Sequence, residues 1–179
     1  FSQLGLKRGE VVSLFAENSP RWLIADQGLM RIGVSDAVRG AASPRDELQY
    51  ILEDSNSVGL IIQNSAVWAK LALTNDLRRQ LKVVVQLEGI PSEDVMSWES
   101  LLELGRSSEN LDKLNSSDSF ENHLGNIATI IYTSGTTGRP KGVPLSHANI
   151  LHQIKSLACV ANPPSGAPVL SVLPIWHAY

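Results

Sequence analysis

The chain has 179 residues, with 15 Lys plus Arg against 18 Asp plus Glu, a formal charge of −3 and 43% hydrophobic residues. That is enough length and apolar content to bury a core of about one domain. The slightly acidic balance argues against a nucleic-acid binder, which needs clustered Lys and Arg to neutralise phosphates, and the apolar runs, such as Val58 to Ile62, fall far short of the roughly 20 residues that cross a bilayer.

In chain order, the sequence opens at Phe1 without an initiator Met, so any targeting segment is expected to lie outside it. Val11 to Ala16 reads as a buried strand. Asn18-Ser19-Pro20 is a cap followed by proline at the first helical position, and Trp22, Leu23, Ala25, Leu29, Met30 and Ile32 continue at helical spacing to Gly33. Ser43-Pro44-Arg45-Asp46 is an acidic variant of the capping box and predicts a helix through Leu48, Ile51 and Leu52. Val58 to Gln63 predicts a strand, Ala66 to Leu81 a helix, and Val83 to Leu87 a strand. Residues 105–122 break this rhythm with five serines and only Leu111, Leu114 and Phe120 to bury; an exposed loop is expected, with a domain linker as the competing reading. Ile127 to Tyr132 is a β-branched strand, Ser146-His147-Ala148-Asn149 a helix start, and Val169 to Pro174 an apolar strand running into a turn. Because the chain ends on the partly apolar Trp176-His177-Ala178-Tyr179, truncation at both ends is expected. Alternating strands and helices, with strands apolar on both faces, predict an α/β fold: mainly parallel sheet flanked by helices.

Trp22, Trp68 and Trp98 read as core or interface anchors. The single cysteine, Cys159, cannot form an internal disulfide and reads as a small apolar residue on a helix face, since Leu157, Ala158 and Val160 would raise a thiol pKa. His147 and His152 are five apart, and together with His123 they make no metal-ligand spacing. No metal site is expected from the side chains.

The chemistry is concentrated directly after the Ile127 to Tyr132 strand, in Thr133-Ser134-Gly135-Thr136-Thr137-Gly138-Arg139-Pro140-Lys141-Gly142. Glycines let backbone N–H groups approach phosphate oxygens, hydroxyls donate further hydrogen bonds, and cations offset charge, so the composition fits a polyphosphate. A flexible hairpin turn is the bland alternative; the preceding strand, Lys141 and the Ser146 helix start favour the anion site. A Walker A loop is disfavoured, because Pro140 stands where its second glycine belongs and Gly142 rather than Ser or Thr follows Lys141. Pro140 also stops a helix from starting straight out of the loop, so a phosphate would be wrapped by loop rather than seated on a helix terminus.

Tyr132 to Gly142, YTSGTTGRPKG, resembles the signature loop of the AMP-forming acyl-activating superfamily. Gly5-Leu6-Lys7-Arg8-Gly9-Glu10-Val11-Val12 with Asn18 to Trp22, the Arg31-Ile32-Gly33 and Ser43 to Asp54 stretches, and Leu173-Pro174-Ile175-Trp176-His177 are similar to further motifs of that family. Trp176 to Tyr179 and Asp36-Ala37-Val38-Arg39-Gly40 look most like the plant plastidial long-chain acyl-[acyl-carrier-protein] synthetases, although the wider family often has a proline in the latter segment.

The resemblance implies part of the large N-terminal domain of an adenylate-forming ligase over 1–179, with the C-terminal domain and its catalytic lysine absent. It implies ATP-dependent activation of a fatty acid to acyl-AMP with release of pyrophosphate, then thioester formation on acyl-carrier protein or CoA, with Mg²⁺ as the metal partner of ATP. Thr133, Ser134, Gly135, Thr136, Thr137, Gly138 and Lys141 would hold the β- and γ-phosphates. His177 would orient the acyl carboxylate or α-phosphate, Trp176 and Tyr179 would line the acyl tunnel, and a plastid location follows from the subfamily alone. The alternatives are a non-catalytic nucleotide- or acyl-binding module, or another adenylate-forming ligase such as a 4-coumarate-type acyl-CoA ligase.

Overall fold

In the computed structural model, which describes residues 1–107, 123–133, 138–161, 163–168 and 170–177, the apolar run Val11–Phe15 forms β1 at the centre of a sheet. It pairs in parallel with β2 (Ser35–Arg39) on one side and β3 (Gly59–Ile62) on the other. Beyond β3 lie β4 (Val83–Gln86) and the short β5 (Met96–Ser97); beyond β2 lie β6 (Ile127–Thr133) and, antiparallel to it, β7 (Lys141–Ser146). The order among the described residues is β5-β4-β3-β1-β2-β6-β7. The expected mainly parallel α/β sheet is what is observed, with the antiparallel pair confined to one edge.

Because side chains alternate across a strand, each central strand feeds two cores. Val12, Leu14, Ile61 and Val85 join Trp22, Ala25 and Leu29 of α1 (Pro20–Arg31) and Trp98 and Leu101 of α5 (Trp98–Arg106). Phe15, Leu60, Ile62 and Val84 join Leu48, Ile51 and Leu52 of α2 (Arg45–Asp54) and Val67 and Leu71 of α3 (Ser65–Leu71). Trp22 and Trp98 are the anchors expected of them, and Trp68 packs partly buried against the second core. Burying a Leu, Ile or Phe contributes about 1.5–3 kcal/mol, whereas exposed pairs such as Arg79–Asp76 and Arg106–Glu103 contribute about 0–1 kcal/mol. The two apolar layers therefore hold the sheet.

Helix α1 starts as its sequence dictates, with Ser19 accepting from the Trp22 N–H at 3.1 Å and Pro20 at the first helical position. The expected capping box before α2 does not form. Pro44 is the cap residue and no side chain bonds there; the Ser43 carbonyl instead accepts from Lys70 at 2.9 Å, and Asp46 and Glu47 supply negative charge to the first turn. The helix expected over Ala66 to Leu81 is two, α3 and α4 (Asn75–Gln80), separated at Ala72 with φ 40°. Leu71 and Leu73 are both buried, and residues two apart lie about 200° around a helix, so the break lets both reach the core. Thr74 then caps α4 by accepting from Leu77 at 3.3 Å.

Residues 170–173 form no strand, contrary to expectation: Leu170 and Val172 are exposed and no ladder bond reaches them. Gly105 and Arg106, expected in a loop, finish α5, with Ser107 as its cap; the rest of that expected loop, 108–122, lies outside the described residues. Cys159 caps the C-terminus of α6 (His147–Ala158) and is exposed, its Sγ 3.5 Å from the Lys155 carbonyl, rather than packed on an apolar face. Beneath β2, Asp36 is fully buried facing Asp26 of α1, and burial and that neighbour together hold Asp36 well above the usual carboxylate range.

Candidate functional site

Strand β6 ends at Thr133 and β7 begins at Lys141, and the two residues are register partners across the antiparallel pair. Strands β6 and β7 are thus an antiparallel pair, and the segment joining them carries the phosphate-fitting composition at the carboxyl end of β6. Thr133 is half-buried and Lys141 exposed. Gly138, also exposed, has φ 93°, a left-handed backbone with open space around it, so glycine is required there for conformation rather than room. Ser134, Gly135, Thr136 and Thr137 lie outside the described residues.

The hairpin stem is tied to the C-terminal end of α2. The Tyr132 hydroxyl donates to Asp54 Oδ2 at 2.7 Å, and Tyr50 donates to Asp54 Oδ1 at 3.1 Å. Arg139, on the other side of the loop, sits over the Tyr50 ring at 5.4 Å from its centroid. Burial, and then the Asp54 carboxylate, push the Tyr132 phenol well above its ordinary pKa, which keeps it a hydrogen-bond donor. Opposite Tyr132 stands Gly142, where a Cβ would lie 3.0 Å from the tyrosine ring and from Ile130. A side chain here would press on the tyrosine ring and Ile130, which would have to shift by a few tenths of an ångström.

A second group gathers at the carboxyl ends of β1 and β2. The Pro174 to His177 turn, closed by the His177 N–H on the Pro174 carbonyl at 3.1 Å, docks through Asn18, whose amide donates to the Leu173 carbonyl at 2.7 Å and accepts from the Ile175 N–H at 2.9 Å. Trp176 donates through Nε1 to Glu17 at 3.4 Å, and its ring lies against Gly40, where a Cβ would come within 2.7 Å. His177 is exposed, its ring 6.4 Å from that of Trp176 at 62°. His177 does follow a proline turn at the strand carboxyl ends, the edge at which parallel α/β sheets hold ligands, though the described residues before that turn, 170–173, form no strand. Tyr179 lies outside the described residues.

Sequence reasoning passed over Asp54, Tyr50, Arg39, Glu17 and Asn18 as site residues. Asp54, Tyr50, Arg39 and Asn18 fall inside stretches that carried the resemblance, which was the available signal. Among the described residues no group of three or more His, Cys, Asp or Glu side chains gathers to hold a metal ion, and none of the helices is long and apolar enough to cross a membrane.

The AMP-binding enzyme family model matches residues 1–179. The chain is 38% identical over 188 aligned residues to a chloroplastic long-chain-fatty-acid–[acyl-carrier-protein] ligase of Arabidopsis thaliana, covering 98% of this chain and 26% of that protein. It is 35% identical over 155 residues to a long-chain-fatty-acid–CoA ligase of Rattus norvegicus, covering 83% of this chain and 22% of the relative. Among solved structures, the N-terminal domain of FACL13 from Mycobacterium tuberculosis superposes with a TM-score of 0.75 at 25% identity, over 98% of this chain and 41% of that one. A long-chain-fatty-acid-CoA ligase from Archaeoglobus fulgidus gives 0.74 at 25% identity, over 98% and 33%. The chain spans about a quarter of the length of these curated relatives.

Proposed function

Since the chain belongs to the AMP-binding enzyme family, whose general reaction is formation of an acyl-adenylate and then a thioester, we propose that it contributes the phosphate-binding hairpin of an ATP-dependent long-chain fatty acid ligase. Residues 1–179 are then part of the large N-terminal domain. The observation that carries this reading is the YTSGTTGRPKG hairpin at the carboxyl end of β6, in a chain whose docked Trp176-His177 turn lies at the same edge of the sheet.

In the first half-reaction a fatty-acid carboxylate oxygen attacks the ATP α-phosphorus, the bond from that phosphorus to the bridging oxygen breaks, and pyrophosphate leaves with the electron pair. In the second, a thiol sulfur displaces AMP from the acyl carbon and the thiol proton departs. The protein's part in the first step is positioning and charge stabilisation. Thr133, Ser134, Thr136 and Thr137 donate hydroxyls to the β- and γ-phosphates, Gly135 and Gly138 let the backbone approach, and Lys141 supplies a compact positive charge. His177 orients the carboxylate or the α-phosphate. Mg²⁺ enters with the nucleotide, and no step here depends on a protein site for it.

The acceptor is acyl-carrier protein and the compartment the plastid, a choice supported by the chloroplastic Arabidopsis relative at 38% identity. Fatty-acid-dependent exchange of labelled pyrophosphate into ATP, measured on the protein at the length of its relatives, tests the first step. Absence of exchange with every long-chain acid would refute the reading. Product assays offering CoA and acyl-carrier protein separately then decide the acceptor, and thioester on CoA alone would overturn the carrier-protein assignment.

A further inference from the structure

One side chain touches both groups described above. Arg39, at the end of β2, donates through Nη1 to the carbonyl of Tyr132 at 2.9 Å, immediately before the hairpin loop. Its Nε is ion-paired with Glu47 of α2, and the two side chains are only 16% and 19% exposed. The guanidinium carbon also stands 5.5 Å from the centroid of the Trp176 ring, whose Nε1 is held by Glu17. Glu17 in turn accepts from the Ala42 N–H at 3.0 Å, fastening the segment that follows Arg39. A planar guanidinium can bond a carbonyl and a carboxylate while presenting its face to an indole; an ammonium cannot do all three.

We propose that Arg39 is a positioning residue that sets the phosphate-hairpin stem and the Trp176-His177 turn in register, so that the nucleotide phosphates and the acyl carboxylate meet at the correct separation. The inference rests on the ligase reading given above. Misplacing reactants by about 1 Å costs rate on the order of 10²-fold, so a tie between the two groups acts on turnover more than on affinity for either substrate. Glu47 keeps the guanidinium plane fixed. Removing Arg39 alone would leave that carboxylate buried without a partner, a folding penalty separate from positioning.

The test uses the protein at the length of its relatives, with Arg39→Lys, Arg39→Met and the double variant Arg39→Met with Glu47→Gln, which removes the pair without stranding a charge. Fatty-acid-dependent pyrophosphate exchange is resolved into kcat and the KM for ATP, and acrylamide quenching of Trp176 is isolated by difference from Trp176→Phe. The expected result is a fall in kcat of about tenfold or more in the double variant, a KM for ATP changed less than about twofold, easier quenching of Trp176, and incomplete rescue by lysine. A double variant that folds and keeps kcat within about twofold of the parent overturns the proposal. If the parent itself shows no exchange, the ligase reading fails instead; unchanged Trp176 quenching in Arg39→Met then overturns the Arg39 tie as well.

Discussion

At the residue scale, Lys141 is exposed at the first position of β7, opposite Thr133, so removing its ammonium withdraws charge from the hairpin mouth without opening the core. Lys141→Ala is therefore expected to lower pyrophosphate exchange by about 10²-fold, the scale of losing one transition-state donor, with an unchanged unfolding midpoint. Wild-type exchange in that variant would contradict the assignment. Tyr132 is the converse case: it is buried, and its hydroxyl reaches Asp54 across 78 positions of sequence. Tyr132→Phe deletes one hydrogen bond to a carboxylate, about 1.5–3 kcal/mol, and loosens the stem beneath the loop. Both a lower melting temperature and a higher KM for ATP are expected, and Asp54→Asn should reproduce the direction of each; a melt and an ATP titration check this. Lys141 was visible in the sequence because its chemistry is contiguous with the loop. Asp54 and Arg39 were not, because each acquires a role only from a partner brought close by folding.

At the element scale, β2 shows what an apolar-run criterion overlooks. Its sequence, Ser35-Asp36-Ala37-Val38-Arg39, is mostly polar, yet it is an interior strand between β1 and β6. Tertiary partners absorb much of the polarity: Ser35 donates to the Ile127 carbonyl at 2.7 Å and Arg39 bonds Tyr132, while Asp36 is buried beside Asp26. With the Asp36 pKa raised in the folded state, the native protein binds more protons than the unfolded chain as pH climbs from the unfolded carboxylate range near 4. Stability is therefore lost as pH rises to the native value and is level above it, at about 1.4 kcal/mol per unit of difference. Asp36→Asn keeps the shape without titrating. It should be more stable than the parent near pH 8, with the advantage shrinking on acidification towards pH 4. Thermal melts across that range measure it, and an advantage that grows in acid would show the opposite linkage. The helix starts at Ser19 and Ser146 were legible because caps act within one turn: Ser146 accepts from Asn149 N–H at 3.2 Å, and the Asn149 side chain accepts from Ser146 N–H at 2.9 Å. The break at Ala72 was not, since it answers to the burial of Leu71 and Leu73 against the sheet.

At the scale of the whole molecule, the described chain brings two chemical groups to one edge of a sheet, while spanning about a quarter of the length of its relatives. On the ligase reading proposed above, the hairpin supplies phosphate contacts alone, and the reaction also needs groups that bind adenine and activate the acyl carboxylate. The 179-residue chain by itself is expected to form no acyl-adenylate under conditions in which the protein at the length of its relatives does so. Trapping labelled acyl-AMP from each protein compares them directly, and adenylate formed by the short chain would require the remaining site residues to be sought within it.

The sequence by itself determined the strand-helix alternation, the α/β class, the caps of α1 and α6, and the contiguous loop with its hydroxyls, glycines and cations. These are local properties, set by side-chain periodicity and by bonds reaching no further than a turn. Only the tertiary structure decided that β2 lies between β1 and β6, that the loop segment closes an antiparallel hairpin, and that Asn18, Glu17, Arg39 and Asp54 hold the two groups in place. Such ties span dozens of residues or more, and Glu17 reaches Trp176 across 159. They form because burying both faces of the sheet repays the loop-closure entropy, a balance that no short stretch of the chain contains.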